Sequence, residues 1–276
     1  MSGCSSCPSK GGCNKDESTC GILNNPNNNI KHVIGVMSGK GGVGKSSMAT
    51  LIAKQLKAEG HSVGILDADI TGPSIPRLLG INGQRAMSED GKTIYPVLSK
   101  EGIKVMSLNL LLENEEDPVI WRGPVIANMV QSFWSDVLWG ELDYLVIDMP
   151  PGTGDVALTV MQSIPLSGVV MVSMPQDLIS MIVAKAVNMT KKLNIKILGV
   201  IENMSYISCP DCGKKIRLLQ DAGTESFLKE MDLRLLGELP MINSICNLAT
   251  NEGNNNDAEV ENIFKEIVKN IKEELN

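Results

Sequence analysis

The chain is poor in aromatic residues, with three each of Phe, Tyr and Trp, only 3% of 276 residues. Hydrophobic residues still make up 43%, so a sizeable core must be built from aliphatic side chains and methionine. The 15 methionines are scattered, which fits flexible core filler better than metal ligation. There is no excess of positive charge: 25 Lys and Arg stand against 32 Asp and Glu, a net charge of −7. That excludes a general nucleic-acid binder with a basic face. No apolar run approaches the ~18–20 residues of a membrane span, so no membrane partner is expected. The N-terminus shows no basic-then-apolar leader, which predicts a cytoplasmic protein. The two histidines, His32 and His61, flank expected strands far apart in sequence, and neither is a candidate ligand or base.

What is present is organised. Residues 1–29 are rich in Ser, Gly, Asn and Cys, and the run Asn24-Asn25-Pro26-Asn27-Asn28-Asn29 reads as a flexible tether. A folded domain is expected over residues 30–276. Apolar strand-like runs recur at Val33–Met37, His61–Asp67, Ile103–Leu108, Asp143–Asp148, Val169–Ser173 and Ile195–Ile201. The spacing of Met48–Leu56 and Val125–Leu138 is helical. Near-continuous apolar strands alternating with helices predict an α/β fold, a parallel sheet covered by helices on both faces. At the C-terminus Val260, Ile263, Phe264, Ile267, Val268, Ile271 and Leu275 share one helical face. Residues 257–276 hold six acidic and three basic side chains, which suits docking on the sheet and not an anionic bilayer.

The most informative stretch is Gly39-Lys40-Gly41-Gly42-Val43-Gly44-Lys45-Ser46, followed by Ser47. It lies between an expected strand and an expected helix, the context of a phosphate loop. Its glycines let successive N–H groups point at phosphate oxygens, and the helix N-terminus adds partial positive charge. Lys45 would reach the β- and γ-phosphates of ATP, and Ser46 would bind Mg²⁺. Lys40 is an extra lysine that an ordinary phosphate loop does not require. Asp148 ends one expected strand and is placed to hold Mg²⁺ through its water shell. The turn after it could sense the γ-phosphate through the Gly152 N–H. Asp69, in Asp67-Ala68-Asp69 at the end of another strand, is assigned to positioning the hydrolytic water, and Asp67 competes with a helix-capping role.

Several further stretches carry a resemblance: Asp67 to Pro76 (Asp-Ala-Asp-Ile-Thr-Gly-Pro-Ser-Ile-Pro), Trp121-Arg122-Gly123-Pro124, Trp139 to Tyr144, Asp148 to Asp155, and Glu202-Asn203-Met204-Ser205-Tyr206 leading into Cys209-Pro210-Asp211-Cys212-Gly213. Over roughly residues 30–245 the chain resembles the Mrp/ApbC family of iron–sulfur carrier ATPases, within the MinD/ParA-type (SIMIBI) class of P-loop NTPases with a deviant phosphate loop. The resemblance implies a homodimer with ATP near the subunit interface and Lys40 reaching the partner's phosphates. It also implies that Asn203 helps select adenine.

The seven cysteines do not form a disulfide framework in a reducing compartment. Cys209 and Cys212 form a Cys-x-x-Cys just past an expected strand end. A thioredoxin-like context is missing, and no second ligand pair follows for a zinc knuckle. One pair from each of two subunits would supply four thiolates, enough for a [4Fe–4S] cluster or a bridging Zn²⁺. The family resemblance favours the cluster, handed on to apo iron–sulfur proteins. Cys4, Cys7, Cys13 and Cys20 could hold a second cluster or Zn²⁺. Eukaryotic relatives carry an N-terminal four-cysteine motif whose last three members share the spacing of Cys4, Cys7 and Cys13, but its first cysteine has no counterpart here. Cys246, among apolar neighbours, reads as a small buried hydrophobe.

The function expected is a slow ATPase that carries a cluster between two subunits. Two rivals remain. One is a spatial-organisation ATPase of the MinD/ParA sort, against which the acidic C-terminal helix counts. The other is an ATP-driven electron donor like the nitrogenase iron protein, whose bridging cysteines lie singly in separate loops.

Overall fold

The computed structural model describes residues 24–70, 72–112, 114, 123–178, 181–209, 211–217, 224–241 and 258–276. Cys4, Cys7, Cys13, Cys20, Cys246, Thr71, Trp121, Arg122 and Pro210 lie outside the described residues. The described strands are β1 (Asn29–Ser38), β2 (Val63–Asp67), β3 (Val97–Leu98), β4 (Lys104–Met106), β5 (Glu141–Asp148), β6 (Gly168–Ser173), β7 (Ile197–Ser208), β8 (Lys215–Ile216) and β9 (Leu235–Pro240). The described helices are α1 (Lys45–Ala58), α2 (Ile75–Leu78), α3 (Gly123–Ser135), α4 (Asp155–Ser163), α5 (Pro175–Leu178), α6 (Met181–Lys192), α7 (Thr224–Glu230) and α8 (Ala258–Leu275).

One sheet runs β3-β4-β2-β5-β1-β6-β7-β8, with β9 also paired to β7. Its centre is parallel, as expected; β3 and β8, on the outer sides of β4 and β7, pair antiparallel. Side-chain alternation along the strands builds two cores. From β1, Ile34 and Val36 join the face covered by α1 and α8, while Val33 and Met37 join the face covered by α3, α4, α6 and α7. The apolar stripe of α8 is buried at Val260, Phe264, Ile267, Val268 and Ile271, so this helix docks on the sheet as its spacing predicts.

Three expectations change. Asn24–Asn29 is not a free tether. Asn24 Oδ1 accepts from the Trp134 indole at 2.9 Å, and Asn28 both donates to the Val137 carbonyl and accepts from the Gly140 N–H, each at 2.9 Å. Asparagine amides can pair with backbone at both ends, which hydrophobicity alone does not reveal. The strand expected over Ile103–Leu108 stops at Met106. Ser107 turns its hydroxyl to Asp67 at 3.2 Å, and a 3₁₀ turn over Leu108–Leu110 follows. The strand expected over Ile195–Ile201 continues to Ser208, because β9 pairs with it from Val200 to Tyr206.

Candidate functional site

β1 delivers the phosphate loop to the carboxyl end of the sheet, where ligands of open α/β folds sit. Gly42 and Gly44 take φ of +81° and +85°, the left-handed region that favours glycine. A Cβ at Gly41 or Gly42 would meet nothing within 4 Å, so the loop surrounds open space. Helix α1 begins at Lys45, and the Gly44 carbonyl accepts its first bond, from Met48 N. The N–H groups of Lys45, Ser46 and Ser47 therefore stand at the helix end without intrahelical partners. The first turn contains no acidic side chain to compete for them.

Below the loop lies a buried ionic knot. Lys45 Nζ contacts Asp148 Oδ1 at 2.6 Å and Asp69 Oδ2 at 3.7 Å, and the Ser46 hydroxyl donates to Asp148 Oδ2 at 2.5 Å. Asp67 is wholly buried on β2. It accepts from the Ser74 and Ile75 N–H groups at the start of α2, from the Ser107 hydroxyl and from the Asp69 N–H. It thus caps a helix from a neighbouring strand, holding the segment that carries Asp69. Burial, then the nearby Asp148 charge, pushes its carboxyl up to about 8, with Lys45 opposing. Burial also raises Asp148, against the pull of Lys45 and Ser46. Three carboxyls, Asp67, Asp69 and Asp148, share one ammonium here, an excess of negative charge that adds to burial in raising Asp67. A divalent cation would offset that excess. Among the described residues no three Asp, Glu, His or Cys side chains converge enough to cage a metal ion alone. The donor chemistry that remains, one hydroxyl and one carboxylate, suits a Mg²⁺ completed by water and phosphate oxygens.

The Gly152 N–H, expected to face the γ-phosphate, donates to the Ser38 carbonyl at 2.8 Å. Gly152 (φ +79°) here pins the turn after β5 to the end of β1, and it meets a phosphate only if that bond opens. Lys40 is half-buried at the loop's outer side, where Gly39 packs close to Ile182 and Val183. Asn203, from β7, donates from Nδ2 to the Val43 carbonyl at 2.9 Å. It is 2% exposed, and its Oδ1 has no hydrogen-bond partner among the described residues.

The cysteine pair begins six residues after Asn203, just past the end of β7, at most about 20 Å away if the strand ran fully extended at ~3.3 Å per residue. β7 and β8 form an antiparallel hairpin, pairing Ile207 with Ile216 and Ser208 with Lys215. Cys209 N donates to the Lys214 carbonyl at 3.0 Å, and Gly213 N donates to the Cys209 carbonyl at 2.9 Å. Gly213 takes φ +68°, closing a tight loop around the cysteines. The Asp211 and Cys212 N–H groups, and then the Cys212 thiol, hold the Cys209 thiol below its ordinary value. Cys212 is exposed. The hairpin presents two sulfurs, and among the described residues they form no group of three metal-binding side chains, so a four-thiolate site needs a second source. No local pattern marks Ser38 or Arg217, whose backbone and side chain tie these loops together.

Comparison with known proteins agrees with this arrangement. Residues 29–275 match the family described as ParA, NUBPL iron-transfer P-loop NTPase. The iron–sulfur cluster carrier protein of Clostridium perfringens is 51% identical over 244 residues, spanning 86% of this chain and 85% of that protein. That of Methanocaldococcus jannaschii is 41% identical over 284 residues, spanning 99% and 96%. A nucleotide-binding protein from Archaeoglobus fulgidus, solved in complex with ADP, superposes with a TM-score of 0.70 at 41% identity, over 80% of this chain and 86% of that one. The cell-division ATPase MinD of Pyrococcus furiosus gives 0.61 at 19% identity, over 88% and 98%, a likeness of fold alone. The resemblance to Mrp/ApbC proteins is borne out, and the chain belongs to the iron-transfer P-loop NTPase family.

Proposed function

We propose that this chain is an ATP-hydrolysing iron–sulfur cluster carrier in which Cys209 and Cys212 of two subunits hold a [4Fe–4S] cluster as cargo for apo-proteins. The observation that carries the reading is the pairing, on one strand, of a phosphate-loop contact at Asn203 with a preorganised dithiol hairpin at Cys209. N–H groups aimed at a thiol favour the thiolate that binds iron. An exposed Cys212 beside a half-buried Cys209 suits handover to another protein. Two cysteines per chain suit a site shared across a two-fold axis.

In the nucleotide site the N–H groups at the start of α1 and the open loop around Gly41 and Gly42 would hold the phosphates of ATP. Lys45, now neutralised by Asp148, would move toward the β- and γ-oxygens. Mg²⁺ would rest on Ser46, with Asp148 accepting from its water, and would supply charge stabilisation for the transferring phosphoryl group. Asp69, held by the Asp67 cap, would orient the attacking water. The unpartnered Asn203 Oδ1 suits the exocyclic amino group of adenine. Lys40 would act across a homodimer. Since the chemistry is mostly positioning, hydrolysis should be slow and its value should lie in switching the dimer. The N-terminal cysteines at 4, 7, 13 and 20 would add a second cluster or Zn²⁺ site. Among the described residues no helix is long and apolar enough to cross a membrane.

The test loads the protein with cluster and follows recovery of activity in an apo [4Fe–4S] enzyme. Wild type should transfer faster with ATP and Mg²⁺ than without. Lys45→Ala transferring at the wild-type rate with ATP present would remove ATP from the mechanism.

A further inference from the structure

Between the two sites β7 is irregular. Glu202 pairs with Glu238 and Tyr206 with Pro240, so Asn203, Met204 and Ser205 lie opposite Leu239 alone. Met204 sits at φ +56°, a left-handed conformation that a non-glycine residue retains only where its surroundings enforce it. The bulge turns its flanking side chains to different tasks. Asn203 reaches the phosphate loop at Val43. Ser205, 4% exposed, donates to Glu202 Oε2 at 2.7 Å and accepts from Arg217 Nη1 at 3.3 Å. Arg217 Nη2 holds both oxygens of Glu238, on β9, at 2.9 and 3.0 Å. One residue before β8's return is complete, Lys215 lies over the ring of the buried Tyr206, 4.1 Å from its centroid.

The cysteine hairpin is therefore fastened to the bulge by its own return strand, and the bulge is fastened to the phosphate loop. We propose that Arg217 is a positioning residue that couples nucleotide state to the cysteine pair. When phosphates draw Val43 and Gly44 into a new position, Asn203 follows, because its Nδ2 is bonded to the Val43 carbonyl at 2.9 Å and lies in the space that the missing Gly44 side chain leaves open. Ser205 follows through the backbone. The Arg217 fork, fixed at the other side on Glu238, converts that shift into a change in the lie of β8 and the loop holding Cys209 and Cys212. A planar guanidinium that holds Ser205 through Nη1 and Glu238 through Nη2 transmits orientation in a way a flexible ammonium does not. This inference rests on the carrier reading for its purpose, though not for its geometry.

The experiment uses the full apo chain, with alkylation of the peptide containing Cys209 and Cys212 followed by mass spectrometry. Rates are compared without nucleotide, with Mg-ADP and with a non-hydrolysable Mg-ATP analogue. In wild type the analogue should change the rate by about fivefold or more, the lower end of ordinary coupling. Arg217→Met should bind the analogue as wild type does but lose the rate change, and Arg217→Lys should restore it only in part. A merely structural role would alter the basal rate and leave the nucleotide dependence intact. If Arg217→Met fails to bind nucleotide, Glu238→Gln carries the same test. A wild type without rate change, or a variant that keeps it, overturns the coupling. Iron content of the same variants is read separately, so a failed link with iron still bound at the cysteines leaves the carrier reading standing.

Discussion

Gly44→Ala isolates the contact on which the nucleotide site turns. Gly44 has φ +85°, where an alanine pays about 1–2 kcal/mol. Its Cβ would also lie 2.4 Å from Asn203 Nδ2, forcing that amide off the Val43 carbonyl. Losing this buried bond adds about 0.5–1.5 kcal/mol. The expected loss of stability without nucleotide is thus about 2–3 kcal/mol. Gly60→Ala is the matched control, with φ +91° and open space at its Cβ, and should show only the backbone part. Asn203→Ala removes the clash, so Gly44→Ala in that background should cost about 1 kcal/mol less than in wild type. The assay is urea denaturation of the four chains of the cycle plus the control, compared at equal slope. Strict additivity, with Gly44→Ala and Gly60→Ala equally costly, would refute the close approach of β7 to the phosphate loop.

Other consequences are as direct. Phe264→Ala, at a position 3% exposed, should destabilise the fold by about 3–5 kcal/mol while sparing nucleotide affinity; a negligible loss would mean that α8 does not dock. Because the Asp67 carboxyl is raised from an ordinary 3.8 to about 8, the folded apo protein holds a proton that the unfolded chain releases. Stability should then fall as pH rises from about 4 to about 8, less steeply in Asp67→Asn and in the presence of Mg²⁺ and nucleotide. An unchanged slope in Asp67→Asn would locate the proton elsewhere. Alkylation of Cys209 should show a pH midpoint below that of an ordinary thiol, since N–H groups favour its thiolate; a midpoint at or above the ordinary value contradicts the hairpin geometry. A chain beginning at Asn24 should be more stable than one beginning at Ile30 by about 1–3 kcal/mol, the size of the lost asparagine contacts.

The phosphate loop, the strands around it and the docking of α8 were legible because each rests on local signals: glycines in series, apolar runs, a 3.6-residue stripe. Asp148 was legible as a carboxylate ending an apolar strand. Asp67 was visible but ambiguous, since its helix-capping role and its burial depend on partners as distant as Ser107. The anchoring by Asn24 and Asn28 was hidden, because an amide that pairs with Trp134 or Gly140 looks in sequence like one that faces water. The Ser38 carbonyl as partner of the Gly152 N–H was hidden for a related reason: a glycine in a turn after a strand leaves open which carbonyl its N–H will meet. The bulge at Met204 and the Arg217 fork had no local signature. They arise from the register between β7 and β9, which only the folded sheet defines.

The central claim is tested most directly by anaerobic iron and sulfide reconstitution of a chain beginning at Asn24, with and without Cys209→Ala and Cys212→Ala. The account predicts about four irons per dimer with the pair intact, the content of one [4Fe–4S] cluster, and none without it. Equal iron in both proteins, or none in either, would contradict a cluster shared between the two cysteine hairpins.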